Sequence, residues 1–97
     1  MNPRKVNRTH VHQFTDLPNV GPATEGDFHL LGYRSPEQLA GEDPFEMYDR
    51  LCAMTGQRHD PCVIDMFMSV TSFMDGGPPR PWWEFTEKRK KILARDA

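Results

Sequence analysis

Apolar residues in this chain recur at intervals of three and four, the period of helices packed on one face, so the pattern predicts an all-α fold. The longest such run opens at Asp60-Pro61 and carries Cys62, Val63, Met66, Phe67, Val70, Phe73 and Met74, with Ile64 and Met68 forming a second face. A helix apolar around so much of its circumference is a buried central one. It is predicted over residues 61–74 and is stopped by Asp75-Gly76-Gly77-Pro78-Pro79. Before it, Asp43-Pro44-Phe45-Glu46 has the chemistry of a helix start, and Phe45, Tyr48, Leu51 and Cys52 share one face of a helix over 44–54 that Gly56 ends. Ser35-Pro36-Glu37-Gln38 reads as a capping box for a short helix reaching Ala40.

Nearer the N-terminus, Val11, Phe14 and Leu17 mark a brief first helix over 13–17, ended by Pro18. Ala23, Phe28 and Leu31 mark the inward face of a second, over 22–31, with Gly32 as its left-handed stop. Gly26 lies inside that second helix at a cost of ~1 kcal/mol relative to alanine, which a close contact with the first helix would explain. Pro81-Trp82-Trp83-Glu84-Phe85 is expected to lie extended across the core, where Trp82 and Trp83 would point to opposite sides and one would reach the surface. Thr86 is expected to cap a last helix over 87–95 whose apolar content, Ile92, Leu93 and Ala94, is small enough that it frays.

Between the first two helices lies Leu17-Pro18-Asn19-Val20-Gly21-Pro22-Ala23-Thr24. Pro18 disfavours helix at Leu17, Gly21 is expected to supply a positive φ, and Pro22 suits the first turn of the next helix. The amides of Gly21, Ala23 and Thr24 would then point outward, where an anionic oxygen could accept from them.

The run from Phe14 to Gly32, FTDLPNVGPATEGDFHLLG, resembles the helix-hairpin-helix element with which many proteins grip a nucleic-acid backbone without reading sequence. Together with YRSPEQLAGEDPFEMYDRLCAMTGQRHDPCVIDMF and FMDGGPPRPWWEF, it resembles the small bacterial proteins of the pathogenicity-locus family, some of them labelled mitomycin-resistance-like. The resemblance covers Phe14 to Phe85. It implies a small helix-hairpin-helix (SAM-like) domain of five or six short helices and no settled activity. The expected organisation is a mobile arm over 1–10, the helix-hairpin-helix domain over 11–85, and a basic C-terminal helix or tail over 86–97. Where the usual turn has glycine on both sides of an apolar residue, this chain has Asn19-Val20-Gly21, and where a cation often follows it has Glu25-Gly26-Asp27. Asparagine tolerates the left-handed conformation, but carboxylates repel a phosphate.

Composition narrows the reading. A chain of 97 residues, 37% hydrophobic and without internal repeat, has the material for one core. No apolar run approaches the ~20 residues of a membrane span, and none follows the basic N-terminus, so a soluble cytoplasmic protein with no membrane contact is expected. The net charge of −2 hides an uneven distribution. Acids dominate from Asp16 to Asp49, opposed only by Arg34, whereas Arg4, Lys5 and Arg8 precede them and Arg80, Lys88, Arg89, Lys90, Lys91 and Arg95 follow. The function expected is a DNA-binding module in which Asn19, Val20, Gly21, Ala23 and Thr24 hold phosphate, assisted by Lys88, Arg89, Lys90 and Lys91. The alternative is a protein-interaction adaptor using the same hairpin surface, with the terminal charges as a solubilising tail.

Other chemistry is weakly signalled. Cys52-x6-His59-x2-Cys62 offers three zinc-type ligands without a repeated Cys-x2-Cys clip, and both cysteines sit on apolar helix faces. They are expected to be free thiols, with no metal and no other cofactor. Cys62 at a helix start, three residues after His59, could be a nucleophile, but no oxyanion site is visible, and the chain is not expected to be an enzyme.

Overall fold

A computed structural model describes residues 2–96; Met1 and Ala97, the outer ends of the expected arm and tail, lie outside the described residues. Every element in the described residues is helical: α1 (Pro22–Leu30), α2 (Pro44–Thr55), α3 (Cys62–Met74) and α4 (Thr86–Asp96). Single 3-10 turns at Pro3–Lys5, Arg8–His10, Phe14–Asp16, Pro36–Leu39 and Trp82–Phe85 connect and flank them. The class is all-α, with four α-helices where five or six were expected.

The Asp-Pro starts operate as their chemistry dictates. Asp60 Oδ1 accepts from the Cys62 amide at 2.9 Å, and Asp43 Oδ1 accepts from Phe45 and Glu46, so α3 and α2 each begin on a carboxylate that satisfies amides the helix leaves open. Gly56, at φ 68°, stops α2. Ile64, Phe67, Met68, Val70 and Phe73 are buried along α3, which packs against α2, α4 and the turns at 36–39 and 82–85. Phe28 of α1 joins the hairpin to that core, with ring centroids 5.0 Å from Phe14 and 5.8 Å from Phe67. Met47, fully buried on α2, belongs to the same cluster and was not on the face read from the sequence.

Several local expectations fail for identifiable reasons. The first helix is only the 3-10 turn Phe14–Asp16, because Asp16 Oδ2 takes the amides of His12 and Gln13, each at 3.0 Å, and Pro18 follows at once. Ser35 makes no side-chain cap; Gln38 Oε1 instead accepts from the Arg34 amide at 2.6 Å. Ala23 is exposed rather than inward. A Cβ on Gly26 would meet nothing within 4 Å, so no close contact explains that glycine. Trp82–Phe85 is a 3-10 turn, not an extended strap.

The central helix also holds polar residues that apolar periodicity passes over. Asp65 and Ser69 are buried, and both are bonded to distant segments. Arg89 of α4 grips Asp65 through Nε at 2.9 Å and a second nitrogen at 3.3 Å, and Thr86 Oγ1 donates to Asp65 at 2.8 Å. Thr86 is therefore no N-cap: its backbone is already helical and its hydroxyl faces the core. The start of α4 is clamped to α3. Within the segment 1–10, Val6 and Arg8 touch the rest of the fold. Arg8 donates to the carbonyls of Phe73 at 2.5 Å and Gly77 at 2.6 Å, its guanidinium 4.1 Å from the Phe73 ring centre, and Val6 and Val11 pack on the core edge. A cation at the C-terminal end of α3 is favoured by the helix dipole as well as by the carbonyls it bonds.

Arg89→Ala strands the Asp65 carboxylate in the core and is expected to cost ~3–5 kcal/mol of unfolding free energy. Gly26→Ala, on an exposed stretch of α1 with open space around it, is expected to gain ~0.5–1 kcal/mol. Urea titrations of both variants check these; an Arg89→Ala midpoint equal to the parent's would refute the clamp.

Candidate nucleic-acid interface

The hairpin between the Phe14–Asp16 turn and α1 is shaped by one residue, and it is not the one expected. Gly21 sits at φ −105° and ψ −175°, extended backbone open to any residue, and a Cβ there would meet nothing within 4 Å. The left-handed residue is Asn19, at φ 68°, the one non-glycine with positive φ among the described residues. Its side chain explains how it stays there. Nδ2 donates to Ser69 Oγ at 2.7 Å and to the Arg80 carbonyl at 3.1 Å, while Oδ1 accepts from the Trp82 amide at 3.3 Å. Asn19 thus turns inward and joins hairpin, α3 and the 80–82 segment, so its amide is not available to phosphate. Val20, expected at the surface, is 8% exposed and belongs to the core.

The amides of Gly21, Ala23 and Thr24 are what this leaves. The first backbone bond of α1 runs from the Glu25 amide to the Gly21 carbonyl at 3.0 Å, and no side chain caps the helix start. Pro22 and Ala23 are exposed, and a shallow concavity of about 260 Å³ lined by Leu17, Asn19, Val20 and Gly21 lies beside them. Of the two acids that threaten a phosphate here, only Glu25 falls in the first turn. Burial pushes the Asp27 carboxyl above its ordinary range, and the nearby His59 draws it part of the way back.

The basic run at 88–91 is divided by the fold. Arg89 is spent on Asp65, whose hydrogen bonds and charge hold its pKa up against desolvation. Lys90 comes within 4.0 Å of Glu87. Lys88 and Lys91 are exposed and, among the described residues, pair with no carboxylate. Lys88 also edges a concavity of about 430 Å³ that Glu42 and Asp75 share. Near the hairpin, Glu84 is paired with both Arg80 and Arg4; desolvation pushes its carboxyl up, but the two arginines together outweigh that and hold it below its ordinary range.

Cys52, His59 and Cys62 do not assemble into a site. Among the described residues no three His, Cys, Asp or Glu side chains are grouped to hold a metal ion. His59 Nε2 is 2.8 Å from Thr55 Oγ1, and its carbonyl accepts from the Tyr48 hydroxyl. Both cysteines are free thiols, half-buried. Burial, with Asp60 and Asp65 close by, pushes the Cys62 thiol up, the wrong direction for a nucleophile. Of the two tryptophans, Trp83 is the one at the surface, 54% exposed.

The chain belongs to the Pathogenicity locus family, which it matches over residues 7–91, a span that takes in both Arg8 and Arg89 as well as the hairpin. It is 44% identical over 80 residues to the Mitomycin resistance protein McrB of Streptomyces lavendulae, an alignment covering 82% of this chain and 76% of that protein. No solved structure matches it.

Asn19→Ala removes three hydrogen bonds and leaves an alanine in the left-handed region, so a loss of ~2–4 kcal/mol is expected in chemical denaturation. Asn19→Gly keeps the turn and should recover ~1 kcal/mol of that. Equal losses for the two variants would mean the backbone strain is negligible.

Proposed function

We propose that this protein holds the phosphate backbone of DNA without reading its sequence, through a helix-hairpin-helix unit of the SAM-like kind formed by the Phe14–Asp16 turn, Asn19 and α1. The observation that supports it best is the uncapped start of α1. The amides of Gly21, Ala23 and Thr24 have no acceptor among the described residues and stand at the positive end of the helix dipole. Lys88 and Lys91 supply long-range attraction, while Arg89 has a structural role. In this reading the protein is a cytoplasmic binding module rather than an enzyme. Consistent with that setting, no helix among the described residues is long and apolar enough to cross a membrane. A protein adaptor using the hairpin surface is the second reading; Leu30, at the far end of α1, is 46% exposed and would extend such a contact along the helix.

Binding to two duplexes of unrelated sequence, measured across a salt series, separates the two. Phosphate binding is expected to be alike for both duplexes and to weaken linearly on a log–log plot as salt rises. Glu25→Lys should tighten it and steepen the slope by about 1, because a cation replaces the one carboxylate of the first turn. Lys91→Glu should weaken it. No binding at low salt would hand the hairpin to a protein partner.

A further inference from the structure

Some of the cations that the core does not use lie in a line. Glu84, Lys88, Lys91 and Arg95 follow one another at intervals of four, three and four, which places them along one side of the Trp82–Phe85 turn and α4. Glu84 is itself held by Arg4 and Arg80. Lys88, Lys91 and Arg95 line this side, and Arg4 and Arg80 adjoin it through Glu84, while Glu87 flanks the row and Glu42 and Asp75 share the concavity that Lys88 edges. At ~1.5 Å per residue the row runs ~16 Å from Glu84 to Arg95, long enough to follow about five nucleotides of a stacked strand at ~3.4 Å each.

Trp83 immediately precedes Glu84, about a third of a helical turn round from the row, on the side where Glu87 and Lys90 follow it. The phenylalanines and tyrosines are buried or half-buried, whereas the Trp83 ring is 54% exposed. That ring has a support: it stands edge-on to Trp82, centroids 5.8 Å apart at 85°. Trp82 is half-buried and its amide is fixed to Asn19 at 3.3 Å. An indole braced at one edge and open elsewhere, with a row of cations on the adjoining side of the same turn and helix, has the composition of a stacking platform for an unpaired base. A base inside a duplex has both faces covered by its neighbours and offers such a platform nothing.

We propose that this face binds single-stranded nucleic acid, with one unpaired base stacked on Trp83 and the adjoining phosphates following Arg80, Lys88 and Lys91. The proposal rests on the phosphate-binding reading above and narrows its ligand to an unpaired strand.

Anisotropy titrations of the full chain with a labelled twelve-nucleotide oligothymidylate, an abasic oligomer of the same length and a duplex test it at fixed low salt. The oligothymidylate is expected to bind tightest. Trp83→Ala should lower its affinity about 10-fold, with Trp83→Phe retaining most of it, and should leave the abasic oligomer unchanged. Circular dichroism and a urea midpoint establish that the variants fold; Trp83 lies at the surface, so both are expected to match the parent. Equal losses on the thymidylate and abasic oligomers, or none on either, would overturn the stacking while leaving phosphate binding intact. Failure of all three ligands to bind the parent would overturn both and assign Trp83 to contact with a protein.

Discussion

A helix buried along most of its length cannot leave an inward polar group without a partner, and α3 carries such groups in a row. Asp65, Ser69 and the carbonyl of Phe73 succeed one another at intervals of four down one side of it. Each is met by a segment from elsewhere: Asp65 by Arg89 and Thr86, Ser69 by Asn19 and the Arg80 carbonyl, Phe73 by Arg8. Against an apolar substitute such contacts add little net stability, because desolvation cancels much of their attraction. Their effect is geometric. A leucine at 65 would let α4 pack at many angles, whereas a carboxylate gripped by two guanidinium nitrogens admits very few.

The candidate interface is a by-product of that arrangement. Asn19, in satisfying Ser69, fixes the hairpin to the Trp82 backbone, so the open amides of α1 and the exposed Trp83 are referred to the same frame. Arg89, in satisfying Asp65, turns the start of α4 so that Lys88 and Lys91 fall on the outside. What the surface offers a ligand is the remainder after the core has been served: fewer cations than the sequence counts, but held in a line.

This division also explains what the sequence disclosed. Helices α2 and α3 were readable because their signals are local: an Asp-Pro start, an apolar period and a glycine stop all lie within a few residues of what they control. The all-α class followed from the same stretches, and the family likeness from these together with Phe14–Gly32 and the run from Phe73 to Phe85. Gly21 was given the role of Asn19 because glycine is the cheapest left-handed residue, and nothing near Asn19 shows that its side chain has three partners 50 to 63 residues away. Arg89 was placed in a basic surface run for a like reason. Its neighbours in sequence are lysines, and its partner is 24 residues earlier in a helix read for its apolar residues. The i+4 pair Asp65 and Ser69 inside that apolar run was the available signal, since a buried polar residue demands a partner.

The spread of those partners along the chain has a consequence for its synthesis. Arg8 waits for Phe73, 65 residues on, and Asn19 for Arg80, 61 residues on, so the hairpin leaves the ribosome long before anything exists to lock it. Until Arg89 has emerged, Asp65 must remain in water, and α3 cannot close its core around a charge without a partner. The hairpin and α3 therefore share one late requirement, since neither closes until the segment from Arg80 to Arg89 is present, and the fold depends on contacts far apart in the chain.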